Sequence, residues 1–351
     1  RRDAPHGGGR ITAEAIAHLA SRFEVVLLSL RADDEEPVER ALVDACALVE
    51  EIPRRPLTLE PRRLWGERRR VALALSGHPR WAVGHAVGPL RRRLAAVVRE
   101  RRPDVVQLEF LVLADLASAL PAQRPPLVLV EHDARPSPTT GTARQWRRAR
   151  RAAARHVDAV VAFSEEDAGI VRETVGGTHV VVIPPGLDPL PPAGVGSPDE
   201  VLFVGGFRHP PNVGAARRLV REIHPRVRRL RPGARLTLVG ADPPGWLAGP
   251  GVVVTGQVAD VRPFLERAAV VVVPVCEGGG VRIKVLEALA SGKALVASRR
   301  AVEGIDVRPG HQLLVADGDD ATAEAVAPPL ADDELRRRRG APPRPRPRRQ
   351  P

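Results

Sequence analysis

At 351 residues and 43% hydrophobic content the chain is long enough for two domains with separate cores, and it has no apolar run long enough to span a membrane. A net charge of +12 suggests an anionic partner, yet eight arginines crowd the last sixteen residues, and ten aromatics with no tyrosine leave little for base stacking. Two distant cysteines, Cys46 and Cys276, argue for a reducing compartment and against a structural metal site; each suits a small buried hydrophobe.

His6, Gly7, Gly8, Gly9 and Arg10 precede a helical pattern with Ile11, Ala15 and Leu19 on one face, followed by a strand from Phe23 to Leu30. This predicts either the first strand-to-helix glycine loop of a doubly wound domain or a plain turn. No strand precedes the loop, so the chain reads as a fragment lacking its first strand. Asp33 to Glu51 reads as an acidic helix that Pro53 closes. Arg62 to His85 is basic and carries Trp65 and Trp81; it fits an amphipathic segment at an anionic lipid surface or a packed helix with a solvated face.

Pro89 to Glu100 reads as a helix and Asp104 to Leu108 as a strand. Leu127 to Val130 is a further strand, ending at Glu131, His132 and Asp133. Side chains just past the carboxyl ends of parallel strands line the crevice of such sheets, which singles out His132 and, less sharply, Glu109. Arg144 to His156 carries six arginines and Trp146 on a helical pattern, either a solvated face or a contact for acceptor phosphate or lipid. Val157 to Phe163 is the next strand. Ser164 and Asp167 resemble a capping box, and Val180 to Ile183 closes this half.

The proline- and glycine-dense segment Pro184 to Pro198 is a hinge-like boundary. It divides a first domain, 1–184, from a second, 200–331, with 185–199 as linker; 332–351 reads as a disordered Pro/Arg tail. The second α/β pattern opens with a strand, Val201 to Val204, then Gly205, Gly206 and a helix with Asn212 as N-cap running to Leu230. Strands follow at Leu236–Val239 and Val252–Thr255, the latter leading into the loop Gly256 to Asp260.

The run Ala268 to Cys276 has the length and valine content of a buried parallel strand; it breaks at Glu277 into three glycines before another helical pattern. With the apolar run Ala294 to Ser298 after Gly292, this closes a βαβ unit whose glycine loop and helix N-terminus form either an anion site or only a tight turn. Arg282 and Lys284 add formal charge there, Lys284 being one of two lysines beside 52 arginines. Glu287 fits two roles, a solvated residue paired with Lys284 or a carboxylate accepting from ribose hydroxyls. Asp317 to Leu330 reads as the start of a terminal helix.

The stretch EGGGVRIKVLEALASGKALVAS, followed by EGIDVRPGHQLLVAD, resembles the donor-binding end of the retaining glycosyltransferases of family 4. The resemblance implies an α/β chain with two Rossmann-like doubly wound domains facing a cleft, the GT-B fold, acceptor side first and donor side second. It implies that Glu287 holds the nucleotide ribose and that Arg282 and Lys284 hold the diphosphate, beside Gly279 and Gly280. The family often carries an earlier glutamate at the position of Gly279; here Glu277 lies two residues upstream.

The V-E-H-D segment resembles the one in which a family histidine meets the transferred sugar, so His132 joins Arg282 and Lys284 as a catalytic candidate. FVGGFRHPPNVGAARRL resembles the opening of the donor domain, where Arg208 or a neighbour approaches the phosphates. By the same resemblance the loop around Val258 meets the nucleotide base, and Gly8 and Gly9 face the cleft.

The implied activity is transfer of a sugar from a nucleotide-diphosphate sugar to a glycan, lipid-linked or small-molecule acceptor, with retention and without a metal or other cofactor. It belongs to polysaccharide biosynthesis in the cytoplasm, with optional peripheral contact at the inner face of the membrane and no nucleic-acid partner. Two alternatives stand beside it, a non-hydrolysing sugar-nucleotide epimerase and a non-catalytic basic binding module.

Overall fold

A computed structural model describes residues 7–33, 35–53, 88–121, 123–135, 142–186, 193–307, 310 and 313–339. The segment Arg62 to His85 and the end of the chain from 340 lie outside the described residues. The chain divides into two compact units, one of Thr12–Gly186 with Gly278–Gly280, the other of Arg2–Ile11, Leu187–Glu277 and Val281–Pro351.

Helix α1 (Gly7–Ala20) begins in the second unit, to which residues up to Ile11 belong, and continues into the first, which then follows β1 (Val26–Arg31), α2 (Arg40–Ala45), β2 (Leu48–Pro53), α3 (Gly88–Arg101), β3 (Val106–Glu109) and a 3-10 segment (Leu111–Ala119). Then come β4 (Leu127–Glu131), α4 (Ala143–Ala154), β5 (Ala159–Ala162), α5 (Glu165–Val175) and β6 (His179–Val182). Strands β3 to β6 form a parallel sheet in chain order, and β1 pairs in parallel with β2. The expected acidic helix over 33–51 is corrected: only α2 is helical, and Leu48–Pro53 is extended in register with Val26–Arg31. Pro37 does not favour a continuous helix, and the apolar Leu48, Val49 and Ile52 suit a half-buried strand.

Helix α4 is fixed firmly. Thr142 caps it in a reciprocal capping box with Gln145, and Trp146, Arg150 and Ala153 form its buried side. Arg150 and Glu131, each 2% exposed, meet at 2.6 Å, and Arg150 also donates to the Ala134 carbonyl. Burial pushes the Glu131 carboxyl up to about 7, against the pull of Arg150.

The second unit follows β7 (Glu200–Val204), α6 (Pro210–Arg218), a π-helical turn (Leu219–Ile223), α7 (His224–Leu230), β8 (Arg235–Val239), β9 (Val252–Gly256), α8 (Arg262–Arg267) and β10 (Val270–Val273). It closes with α9 (Ile283–Ala290), β11 (Leu295–Ala297), α10 (Arg299–Val302), β12 (Leu314–Val315), α11 (Asp319–Ala331) and α12 (Asp333–Arg339). The sheet is all parallel, in the order β12-β11-β10-β7-β8-β9. Its centre is dry: the four valines of β10 are at most 1% exposed, and burying each contributes roughly 1.5–3 kcal/mol.

Residues 193–197 attach to this unit: Ala193 N–H donates to the Ser291 carbonyl, Ser197 N–H to that of Arg267, and the buried Lys293 ammonium to that of Gly194 at 2.6 Å. The expected disordered tail is corrected over 333–339, which form α12. Arg336 there is 3% exposed and donates to the Pro329 carbonyl at 2.6 Å, so one of the tail's arginines is a packed residue. Among the described residues no helix is long and apolar enough to cross a membrane.

Candidate functional site

The strand order locates the site in the second unit. From β7 the chain runs outward through β8 and β9, then returns to place β10 on the other side of β7 before continuing to β11 and β12. The order therefore reverses between β7 and β10, and ligands of open parallel sheets bind outside the carboxyl ends of the strands at such a reversal. Two loops meet there, one leaving β7 at Gly205 and Gly206, the other leaving β10 through Glu277 and the three glycines.

The second loop feeds α9. Ile283, Val285, Ala288 and Leu289 bury one side of this helix. Its end is a Schellman motif: Gly292 takes φ 64°, its N–H donates to the Leu289 carbonyl, and Lys293 N–H donates to that of Ala288. Gly278 and Gly280 hold φ of 86° and 73°, conformations that leave little alternative to glycine. Arg282 is the N-cap residue and gives no side-chain cap; Val285 N–H donates to the Arg282 carbonyl at 2.9 Å, while the N–H groups of Ile283 and Lys284 have no side-chain cap.

Lys284 carries the electrostatics of the site. Its ammonium lies 4.7 Å from the centre of the Phe203 ring, on β7, and donates to Asn212 Oδ1 at 2.5 Å. Among the described residues Asn212 is its one hydrogen-bond acceptor. Burial of this tip, and next the Arg282 charge, draw the Lys284 pKa down from 10.5 to about 7, while Glu287 opposes the shift. Although the residue as a whole is part-exposed, its charged end sits against a ring that is itself fully buried.

Gly205 makes this placement possible, since a Cβ there would stand 2.8 Å from Lys284 Nζ and 2.9 Å from Asn212 Cγ. Arg282 donates to the Glu277 carbonyl at 3.0 Å. Glu287 is 5% exposed and pairs with Arg10, which removes the reading of a solvated residue paired with Lys284.

In the first unit, His132 follows β4 with its side chain 6% exposed. Its ring stacks on Phe110 at 3.9 Å and meets Phe163 edge-on at 4.8 Å. His132 Nε2 and Glu109 Oε2 lie 2.6 Å apart, and Thr12 Oγ1 donates to the same carboxylate oxygen at 3.3 Å. Among the described residues, buried His132 Nδ1 has no hydrogen-bond partner. The ring is thus fixed on one side by a carboxylate and between two aromatics.

The structure gathers Arg282, Lys284, Glu287, Glu277, Gly279 and Gly280 on or beside the loop before α9, and joins His132 to Glu109. Arg208 is exposed and holds Asp242 at 2.7 Å. Val258 follows β9 and packs, partly buried, against the core of the second unit. Gly8 and Gly9 are corrected from loop to helix, since α1 already begins at Gly7. Asn212 is also corrected. His209 is the N-cap of α6, while Asn212, one turn in, donates to the Gly206 carbonyl at 2.8 Å and accepts from Lys284.

Sequence reasoning missed Phe203, Asn212 and Phe110 as site residues. The signal for Asn212 was a buried-side polar residue in a helix that starts with two prolines. Among the described residues no group of three or more His, Cys, Asp or Glu is arranged to hold a metal ion.

Comparison with known proteins follows the same division. Residues 5–189 match the family model described as Glycosyltransferase Family 4, and residues 198–332 the one described as Glycosyl transferases group 1. No curated protein matches the chain.

Among solved structures, sucrose-phosphate synthase from Thermosynechococcus elongatus superposes with TM-score 0.71 at 19% identity, over 95% of this chain and 87% of that one. Anabaena HepE, solved in complex with UDP and glucose, gives 0.69 at 16% identity over 97% and 90%. A glycosyltransferase from Rickettsia africae gives 0.63 at 13% identity over 95% and 88%. At such identities the likeness is one of fold.

Proposed function

The chain belongs to glycosyltransferase family 4, with the two Rossmann-like domains of the GT-B fold, and from that premise we propose that it transfers a sugar with retention and without a metal ion. As the bond between the sugar's anomeric carbon and the diphosphate oxygen breaks, its electron pair leaves with the diphosphate and the sugar becomes cationic. The growing negative charge is met by the first-turn N–H groups of α9, by Lys284 and by Arg282. Fixed cations in a desolvated site do the work that a divalent metal does elsewhere.

In this reading Glu287 accepts from the ribose hydroxyls and replaces Arg10 as partner. Glu277 and the N–H groups of Gly279 and Gly280 border the diphosphate and sugar, and His132, held by Glu109, contacts the sugar. The observation that carries the proposal is Lys284: a buried-tip ammonium with one acceptor, beside a helix N-terminus at the strand-order reversal. An incoming diphosphate restores the charge that burial disfavours.

The acceptor side is proposed as glycan or lipid-linked, in cytoplasmic polysaccharide assembly. A thermal-shift panel of UDP-, GDP- and ADP-sugars with EDTA present tests the donor site, because a ligand bound by the native state alone raises the melting temperature. The expected result is one base class stabilising the protein, with transfer products of unchanged anomeric configuration by NMR. No shift with any member, or a shift that EDTA abolishes, refutes the proposal.

A further inference from the structure

The arginines of α4 take no part in the site above. Arg150 faces inward and is fully engaged by Glu131 and the Ala134 carbonyl. Arg144, Arg147, Arg148, Arg151 and the C-cap Arg155 face outward, all exposed, at spacings that put them on one side of the helix. Among the described residues none of these five has a carboxylate or hydrogen-bond partner, and residues 134–157 contain no acid.

The same five residues with Ala152 line a recess of about 760 Å³. Placing five guanidinium groups side by side costs mutual repulsion, which an ordinary solvated face avoids by interspersing acids. The row follows one face of a helix whose capping box and buried Trp146 hold it rigid.

We propose that this face is a second anion site, which binds a linear phosphate-bearing chain. From Arg144 to Arg155 the row covers about 17 Å, at 1.5 Å per residue, with an arginine about every 4 Å along the axis on average. That repeat suits successive phosphates, each gripped by one or two planar forks. A single small anion engages only part of the row. A bilayer surface has nothing that enters a recess, and the face offers it no apolar side chain larger than alanine. Among the described residues this face offers bases no aromatic to stack on, because Trp146 is buried beneath the helix. The partner is therefore a phosphate chain recognised by charge and shape, independent of the sugar-transfer reading.

The test uses the full chain and medium-length linear inorganic polyphosphate, followed by calorimetry at two salt concentrations. R147E/R151E is compared with R228E/R229E, an equal charge change at exposed arginines elsewhere. R147Q/R151Q serves as the milder pair should the reversal perturb folding. Wild type and R228E/R229E should bind alike, and both α4 variants should lose affinity, tenfold or more for the reversal, with weaker salt dependence and an unchanged UDP-sugar thermal shift.

Absence of wild-type binding overturns the proposal. So does equal loss in the 147/151 and 228/229 variants, or tighter binding to phosphatidylglycerol vesicles or a single-stranded oligonucleotide than to polyphosphate.

Discussion

The lowered pKa of Lys284 makes donor binding a proton-linked event with a definite sign. Burial holds the Lys284 pKa down at about 7 in the free protein, and the proposed diphosphate would draw it back up. Binding above pH 7 must then take up a proton: affinity is full below about 7 and falls as pH rises through the window up to the bound-state pKa. At pH 8 roughly nine-tenths of a proton should enter per donor bound, and between pH 7 and 9 affinity should fall about fiftyfold, or about 2.3 kcal/mol at 1.36 kcal/mol per tenfold.

UDP-glucose is a suitable probe because its diphosphate has no titrating proton in this range. Calorimetry in buffers of different ionisation enthalpy reads the uptake directly, and Lys284→Gln should abolish both the uptake and the slope. The variant should also lose about 2–4 kcal/mol of transition-state stabilisation in turnover. Flat affinity from pH 7 to 9 in the wild type, or a slope that survives in Lys284→Gln, would refute the assignment of this lysine to the diphosphate.

Gly205→Ala, whose new methyl would press on Lys284 Nζ and Asn212, should destabilise by about 1–3 kcal/mol and weaken donor affinity more than it lowers the melting temperature; a calorimetric titration checks it. Arg150→Ala strands Glu131 in the core of the first unit and should cost about 3–5 kcal/mol in urea unfolding. That deficit should shrink at pH 5 relative to pH 8, since a carboxyl raised above its unfolded value of 4.5 penalises the fold progressively as pH rises from there to its folded pKa. His132→Phe preserves the stack on Phe110 while removing the ring nitrogens; turnover should fall about a hundredfold with little change in donor Kd, and an equal loss in Kd would contradict a sugar contact.

The parts of this molecule that were legible beforehand are those where pattern and chemistry coincide. The valine run of β10, the glycines after it and the helix carrying Lys284 announce a strand, a loop and a helix because each residue is chosen for backbone reasons visible locally. The strand order that turns this into a ligand site is not local, since which strand lies beside β10 depends on packing across the sheet. Asn212 illustrates the gap: by sequence a good N-cap, it is displaced to the first turn because Pro210 and Pro211 already start the helix at His209. Its side chain then serves a lysine 72 residues away. The pairing of His132 with Glu109, 23 residues apart, was legible only as two strand ends on one sheet edge.

The attachment of residues 193–197 decides where the donor half can be cut free. Ala193, Gly194 and Ser197 are stitched to the turn after α9 and to α8, so this stretch of the proline-rich connection travels with the second unit. An excised fragment starting at Asp199 would strip Lys293 of its 2.6 Å acceptor and leave only the Glu266 carbonyl at 3.3 Å for an ammonium at 2% exposure. A fragment that begins upstream of Ala193 keeps that clasp, and should express as the more soluble and more protease-resistant of the two.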